Sequence, residues 1–301
     1  MTLAGGPSAA ALADMEARVR AALRSGGESG LNALAWGEIG PVIGWPDEDP
    51  AFALKRLPPF RSHAGAESFG ETLHGYVDAL AARGLECVET DVRIVEGSDG
   101  GRGGPAAWVV QPLLPAQCMG PALLRAGDPA AGHPVLDAVL EADLTIPCPQ
   151  LALDGQLSNF AWVDGRLLYI DVTPPLLFDE RGQLCMDMEL LIAALPAPLR
   201  PAVMRFVIPD LMRRFRVPRA VVLDMLGNLL KEKLDDWLPV ALDRLGGRLS
   251  EPISEREVRR AYSSDKKLWE VLLQLRRLDR AWQRRVRRRE YPFLLPGRIE
   301  R

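Results

Sequence analysis

The most informative segment of the chain is Leu151–Pro175, which reads LALDGQLSNFAWVDGRLLYIDVTPP. It holds two short apolar-rich runs, Phe160 to Val163 and Arg166 to Ile170, which are joined by Asp164-Gly165. Asp-Gly is a preferred pair for a two-residue type I′ turn, because both turn positions need a positive φ angle. The stretch therefore predicts a tight β-hairpin.

The predicted hairpin brings oxygen-bearing side chains near one another. Asn159 directly precedes its first strand and Asp171 directly follows its second. Because the two open ends of a hairpin lie side by side, we expect an amide oxygen and a carboxylate to converge there, and such oxygen ligands suit magnesium. Asp154, five residues before Asn159, lies on the preceding loop and can face the same cavity.

This arrangement resembles the catalytic segment of the protein-kinase-like superfamily, and in particular its aminoglycoside and choline phosphotransferase branch. That superfamily has a catalytic-loop Asp, an Asn five residues later, a short hairpin and then a metal-binding Asp. The resemblance implies that Asp154 orients the acceptor hydroxyl and accepts its proton. It also implies that Asn159 and Asp171 hold Mg²⁺ on the β- and γ-phosphates of ATP.

The N-terminal half offers residues for the remaining parts of such a nucleotide site. Lys55 lies in an apolar run predicted to be the third strand, and Ala53-Leu54-Lys55 is similar to the Ala-x-Lys of the superfamily. Glu71 follows sixteen residues later in a predicted helix, where the superfamily has the Glu that pairs with this Lys. Glu67, one helical turn earlier, is the alternative partner. The resemblance implies that Lys55 contacts the α- and β-phosphates and that Glu71 fixes its position.

Two backbone segments complete the expected nucleotide site. Gly37 and Gly40 fall at the first strand turn, where the loop that covers the nucleotide belongs. The backbone from Gln111 to Leu113, at the end of the fifth expected strand, would be the hinge that contacts adenine. The resemblance runs in order from Ala33 to Pro175, and the chain beyond it matches only as a helical lobe.

Departures from the superfamily pattern keep other functions open. Ala152 stands where the superfamily has His, Val172-Thr-Pro-Pro175 follows the expected metal-binding Asp, and no complete Gly-x-Gly-x-x-Gly occurs. Two prolines favour an extended chain over a mobile activation loop, which favours a small-molecule acceptor over a protein. We therefore expect transfer of the γ-phosphoryl group of ATP to a hydroxyl of a small metabolite or natural-product intermediate. The alternatives are a Ser/Thr kinase that acts on a ribosomal precursor peptide beside a partner lyase, and a pseudokinase that binds nucleotide as a scaffold.

The order of the predicted elements indicates an α+β fold. Residues 1–30 are expected to form an N-terminal helical extension. Residues 31–112 should form a β-rich N-terminal lobe with one helix, whose last two strands are Cys87 to Val95 and Ala106 to Gln111. Residues 113–301 should form a mainly helical C-terminal lobe that carries the catalytic loop and the hairpin. The resemblance implies that these parts form the bilobal protein-kinase-like fold.

Composition and charge are typical of a soluble globular protein. Hydrophobic residues make up 48% and charged residues 26% of the chain, which are ordinary values. The formal net charge of −3 gives no reason to expect nucleic acid as the main partner. Asp14 and Glu16 interrupt the region where a secretory signal would need an apolar run, and no apolar stretch approaches the length of a membrane span. We expect a cytoplasmic protein, bacterial in composition, with no membrane partner.

Basic residues concentrate near the C-terminal end. From Glu255 to Arg301 there are fifteen Lys and Arg but only seven Asp and Glu. Eight of the arginines lie between Arg276 and Arg289. The interleaved apolar residues form one predicted stripe, which consists of Leu272, Leu275, Leu278, Trp282 and Val286. This pattern predicts an amphipathic helix whose basic face is either solvated or a dock for an anionic partner, such as an acidic leader peptide or RNA.

Overall fold

A computed structural model of the 301-residue chain describes residues 3–25, 30–36, 40–97, 104–192, 195–286, 291 and 293–294. Within these residues the chain is α+β, with a strand-rich N-terminal part and a helical C-terminal part. The expected fold class is confirmed at this level. One expected site residue, Gly37, lies outside the described residues.

The strands are β1 (Ala33–Trp36), β2 (Pro41–Trp45), β3 (Phe52–Arg56), β4 (Glu86–Cys87), β5 (Asp91–Val95), β6 (Ala106–Pro112), β7 (Phe160–Val163) and β8 (Arg166–Tyr169). The helices are α1 (Ala9–Ser25), α2 (His63–Ala82), α3 (Gly120–Ala126), α4 (Pro134–Thr145), α5 (Glu189–Ile192), α6 (Arg200–Phe206), α7 (Ile208–Arg214), α8 (Pro218–Lys231), α9 (Leu238–Arg244) and α10 (Glu255–Arg285). Short 3₁₀ turns lie at Ala116–Cys118, Leu157–Asn159, Ala197–Leu199 and Asp235–Trp237.

Five strands form an antiparallel sheet in the order β1-β2-β3-β6-β5. β3 lies at its centre, so that Lys55 is opposite Val42 of β2 and Val109 of β6. Successive side chains of a strand point to opposite faces of the sheet. Lys55 therefore points to one face and its neighbour Arg56 to the other.

Each face of this sheet has its own hydrophobic cluster. Along β6, Ala107 and Val109 join the cluster that also contains α2 and the helical part of the chain. Ala106, Trp108 and Val110 alternate with them and join the cluster formed with α1. Because apolar side chains point to both faces of the sheet and each face is covered, β6 is buried from Ala106 to Val110.

α1 is held to the outer face by a buried ionic network. The Glu16 carboxylate accepts hydrogen bonds from Arg20 at 2.7 Å, from Arg56 at 2.7 Å and from the indole nitrogen of Trp108 at 3.1 Å. Burial raises the pKa of Glu16, but hydrogen bonds and charges from Arg56 and then Arg20 outweigh it and lower the pKa overall. The network fixes the register of α1 against β3 and β6.

The run from Cys87 to Val95, for which the sequence predicts one strand, is divided between two sheets. Glu86 and Cys87 pair in parallel with β8 of the hairpin, whereas Asp91–Val95 pairs with β6. The amide of Val88 donates to the carbonyl of Tyr169 at 2.9 Å, which extends the first pairing. The prediction of a single strand was wrong because the hairpin offers a second edge to the same segment.

Several residues of α10 lie on the opposite side of the helix from the one that the predicted amphipathic pattern gives them. Arg276 is buried and stacks over the ring of Phe293, with 5.4 Å between the guanidinium carbon and the ring centroid. Leu278, Trp282 and Val286 of the predicted apolar stripe instead face solvent. Among the described residues, no helix combines the length and apolar character needed to cross a membrane.

Candidate functional site

The predicted hairpin is confirmed and brings Asn159 beside Asp171. β7 and β8 pair from Phe160 opposite Tyr169 to Val163 opposite Arg166. The turn residues Asp164 and Gly165 have φ angles of 51° and 79°, as a type I′ turn requires. At the open end, the amide of Ile170 donates to the carbonyl of Asn159 at 2.9 Å. Ile170 is therefore the residue opposite Asn159, and Asp171 follows it directly in the chain.

Lys55 reaches Asp171 across the chain. Its ammonium group donates to Oδ1 of Asp171 at 2.8 Å and to the carbonyl of Thr173 at 3.2 Å. The amide and the hydroxyl of Thr173 donate to the same Oδ1 atom at 3.2 and 3.1 Å. The Lys55 side chain is 14% exposed and the Asp171 side chain 36% exposed. Asp171 can therefore be reached from solvent, while Lys55 is nearly enclosed and its charge is compensated.

Asp154 lies in the same electrostatic environment. Its carboxylate is partly buried, and Oδ1 is enclosed without a hydrogen-bond partner in the described part of the chain. Burial, and then the negative charge of Asp171, raise the pKa of Asp154 to about 6. Hydrogen bonds from Asn159 and Gln156 and the charge of Lys231 act in the opposite direction. The pKa of Asp154 therefore lies closer to neutral pH than that of an ordinary aspartate.

Two buried tyrosines hold the loop at Ala152 and at Asp154. The Tyr76 hydroxyl donates to the carbonyl of Ala152 at 3.0 Å, and the Tyr169 hydroxyl donates to the carbonyl of Asp154 at 3.3 Å. Both tyrosine rings are fully buried. Burial raises the pKa of each phenol well above its usual value, so both remain donors at neutral pH. The loop is therefore fixed from α2 and β8.

α8 supplies residues that the sequence interpretation missed. Buried Asn228 accepts from the amide of Ser158 at 3.2 Å and donates to the side-chain oxygen of Gln156 at 3.2 Å. Lys231, one turn later, donates to the same Gln156 oxygen at 3.2 Å. The stretch from Val221 to Leu230 is apolar except for Asp224, Gly227 and Asn228, and its two polar side chains are a signal that could have identified this helix as a support of the loop.

A second missed residue is the fully buried Asp143 of α4. Neither carboxylate oxygen has a hydrogen-bond partner within the described residues. Burial, and then the nearby charges of Asp224 and Asp154, raise the pKa of Asp143 well above its usual value. A Cβ atom added to Gly155 would overlap Oδ1 of Asp143, so the backbone directly after Asp154 rests on this carboxyl group.

The expected pairing of Lys55 with Glu71 is wrong in this structure. α2 buries one apolar face, which consists of Ala66, Phe69, Gly70, Leu73, Tyr76 and Leu80. Glu71 and the alternative partner Glu67 each follow a buried position by one residue, about 100° around the helix, and both are exposed. Glu67 lies 3.5 Å from His63 instead. Lys55 therefore takes Asp171 as its carboxylate partner.

The described residues of the expected hinge and covering loop make other contacts than the expected ones. The amide of Leu113 donates to the carbonyl of Ala51 at 2.8 Å, so that it is not available to adenine and this part of the hinge prediction is wrong. The Gln111 side chain donates to the carbonyl of Ile170 at 2.9 Å and ties β6 to the hairpin. Gly40 borders a small apolar cavity on the outer face, beside α1 and Phe293. It lies two residues before Val42, the β2 partner of Lys55.

The assembled site contains one cationic side chain, two carboxylates and one side-chain amide. Lys55 lies on β3, Asp154 on a loop, Asn159 in a 3₁₀ turn and Asp171 in the segment that follows β8. The contacts of Asp171 found in the described residues all involve Oδ1, which leaves Oδ2 for a cation. The same residues contain no group of three His, Cys, Asp or Glu side chains with metal-binding geometry. One carboxylate and one amide oxygen suit Mg²⁺, which usually keeps water and phosphate oxygens as its other ligands.

The chain belongs to a family whose activity is not known. Residues 14–280 match the model of a family of unknown function (DUF6206), and this match covers most of the chain. No curated protein matches it. Any function must therefore be inferred from the geometry of the site.

Proposed function

We propose that this member of the DUF6206 family has a bilobal, protein-kinase-like fold and transfers the γ-phosphoryl group of ATP to a hydroxyl of a small metabolite. The observation that carries the proposal is the contact of Lys55 with Asp171 at 2.8 Å, beside Asn159 and in the electrostatic range of Asp154. The chain separation of 116 residues between Lys55 and Asp171 makes this contact independent of the local spacing of the hairpin.

The topology around the site supports the same proposal. An antiparallel sheet carries Lys55 on its central strand, and α2 follows that strand and packs on the same face. The loop and hairpin with Asp154, Asn159 and Asp171 lie against that face too, since Lys55 reaches them from it. A nucleotide bound there would lie between the sheet and the helical part of the chain.

In the proposed reaction Asp154 orients the acceptor hydroxyl and accepts its proton. The acceptor oxygen bonds to the γ-phosphorus as the bond to the bridging oxygen breaks, and ADP leaves with that electron pair. With a pKa of about 6, the Asp154 carboxylate is about tenfold more ionised than protonated at pH 7 and is a stronger base than an ordinary aspartate. Activity should therefore fall as the pH drops below about 6.

The other residues bind the nucleotide. Lys55 would neutralise phosphate charge, and Asn159 and Oδ2 of Asp171 would hold Mg²⁺, which when bound neutralises charge on the β- and γ-phosphates. In the structure Lys55 is bonded to Asp171, so phosphate oxygens must compete with that carboxylate for the ammonium group. Binding of nucleotide and cation should therefore open the Lys55–Asp171 contact.

A nucleotide-binding scaffold without turnover is the second candidate. It is favoured by the exposed position of Glu71 and by the occupied amide of Leu113, because both remove parts of the expected nucleotide site. Asp154, with its raised pKa and enclosed oxygen, favours the enzyme. The two proposals share ATP binding and differ in turnover.

The test of both is nucleotide-dependent stabilisation of the full chain. Thermal unfolding would be compared with and without ATP and Mg²⁺ for the native chain, for Lys55→Ala and for the exposed control Lys233→Ala. Ligand at about a hundred times its Kd adds roughly 2.7 kcal/mol, which corresponds to a rise in Tm of several degrees. We expect this rise in the native chain and the control but not in Lys55→Ala. A native chain that no purine nucleotide stabilises at millimolar concentration contradicts the enzyme and the scaffold alike.

A further inference from the structure

The C-terminal half of α10 and its C-cap residue Val286 present an apolar stripe to solvent. Leu278, Trp282 and Val286 are 67%, 57% and 56% exposed. Their spacing of four residues places them on one side of the helix. Large apolar side chains with more than half of their surface exposed, and in a continuous row, usually mark a binding surface.

Positive charge accompanies this stripe. The sequence from Arg276 to Arg289 contains eight arginines and a single acid, Asp279. Arg285 is exposed on the same side as the stripe, and Arg277 and Arg280 are half-buried toward the body of the protein. A helix with Leu and Trp along one side and an excess of arginine has the composition of helices that lie in the plane of a membrane surface.

We propose that the C-terminal half of α10 binds the surface of an anionic membrane. Leu278, Trp282 and Val286 would enter the headgroup region, and arginines of the same segment would contact lipid phosphates. Trp282 suits this position because its ring is apolar and its N–H can bond at the polar boundary. A helix of this kind lies on the membrane and does not need the length of a membrane span. The sequence-based expectation of no membrane partner rested on the lack of a spanning segment, and it therefore does not apply to this helix.

The shape and charge of the stripe disfavour two other occupants. A peptide that binds as a helix is normally held in a groove, whereas these three side chains project from a convex helix surface. Pairing of the stripe with the same stripe of a second copy would bring two arginine-rich segments together, each with eight arginines and one acid. Like charges at close range oppose that association.

The test uses the full-length chain and vesicles of two compositions. Co-sedimentation would be measured with neutral phosphatidylcholine vesicles and with equimolar phosphatidylcholine and phosphatidylglycerol. We expect binding to the anionic vesicles only. It should weaken between ~0.1 and ~1 M salt, because the screening length falls from about 10 Å to about 3 Å.

Matched variants locate the binding surface. The double change Leu278→Gln and Trp282→Gln should lower partitioning at least about tenfold, which corresponds to about 1.4 kcal/mol, and Arg285→Glu should lower it in the same direction. Phe206→Gln, which replaces a 72% exposed apolar residue of α6, is the control and should bind as the native chain does. Unchanged Tm values would show that the variants fold.

Other outcomes would overturn the proposal. No binding, equal binding to both vesicles, or equal weakening by the Phe206 control would each do so. A native dimer that the double change converts to a monomer, without vesicle binding, would assign the stripe to self-association. An acidic peptide that binds at the stripe, while vesicles do not, would assign it to a protein partner. None of these results depends on nucleotide binding, so the proposed function would be unaffected.

Discussion

Replacement of Asp143 by Asn should remove a loss of stability that the native chain undergoes as the pH rises toward neutral. Asp143 is fully buried, neither of its oxygens has a hydrogen-bond partner in the described structure, and Asp224 and Asp154 lie close enough to raise its pKa further. The folded protein therefore keeps this carboxyl group protonated at pH values where the unfolded chain has released the proton. Asn has nearly the same shape but no proton to release.

The magnitude follows from proton linkage. A pKa raised in the folded state contributes stability that is complete below the unfolded pKa of about 3.9 and is lost as the pH rises toward the folded pKa. For one proton the loss is about 1.4 kcal/mol for each pH unit, as long as the folded carboxyl remains protonated. Asp143→Asn lacks this loss. Its free energy of unfolding should therefore gain on that of the native chain by about 1.4 kcal/mol per pH unit above about pH 5, over the range in which the folded carboxyl keeps its proton.

Urea unfolding between pH 5 and pH 8 measures this difference. Asp137→Asn is the matched control, since Asp137 lies on the same helix but is half exposed and 3.5 Å from Arg244. The control should follow the native pH dependence to within a few tenths of a kcal/mol, as expected for an exposed ion pair. Parallel curves for the native chain and Asp143→Asn would refute the reasoning, because they would show that the buried carboxyl does not retain its proton.

Other predictions concern the loop and its chemistry. Gly155→Ala should destabilise the protein by about 1–3 kcal/mol in urea unfolding, because the new methyl group overlaps a buried carboxyl oxygen and lies 2.6 Å from a valine methyl; a neutral effect would contradict the close packing. Lys231→Met should shift the acid limb of the pH–activity profile to higher pH, since Lys231 lowers the pKa of Asp154, whereas Lys233→Met should not; identical profiles would remove Lys231 from the site. Asp171→Asn should lose magnesium-dependent nucleotide binding, whereas Asp154→Asn should retain it and lose roughly 10² to 10⁴ in rate. If the native chain binds nucleotide without transfer and Asp154→Asn is indistinguishable from it, the scaffold proposal replaces the enzyme.

The hairpin could be predicted because its determinants are local. Asp164-Gly165 selects the turn, and the turn sets the register that places Asn159 beside Asp171. No contact with a distant part of the chain is needed for this result. The strand order of the large sheet is equally local for β1 to β3, because these strands are neighbours both in the sequence and in the sheet.

The pairing of Lys55 could not be predicted in the same way. Spacing along the chain selected Glu71, but the apolar period of α2 decides which side of the helix is buried, and Leu73 and Tyr76 belong to that side while Glu71 does not. The apolar periodicity of α2, taken without the spacing from Lys55, places Glu71 on the surface. Asp171 as the partner of Lys55 depends on packing between elements more than one hundred residues apart, which leaves no local signal.

The contacts that replace the expected ones also explain how the loop is held in place. Tyr76, Tyr169 and Asn228 reach the loop from α2, β8 and α8, so three elements hold the backbone from Ala152 to Ser158. Each of these bonds is buried or partly buried, where a lost partner would leave an unsatisfied polar group at a cost of about 1–3 kcal/mol. The loop geometry is therefore fixed by the fold before any nucleotide binds.

The part of the site that must rearrange is the ion pair between Lys55 and Asp171, because the ammonium group that would bind phosphate and the carboxylate that would bind cation neutralise each other there. The two ligands should therefore bind cooperatively, since either one alone would leave one member of the pair without its opposite charge.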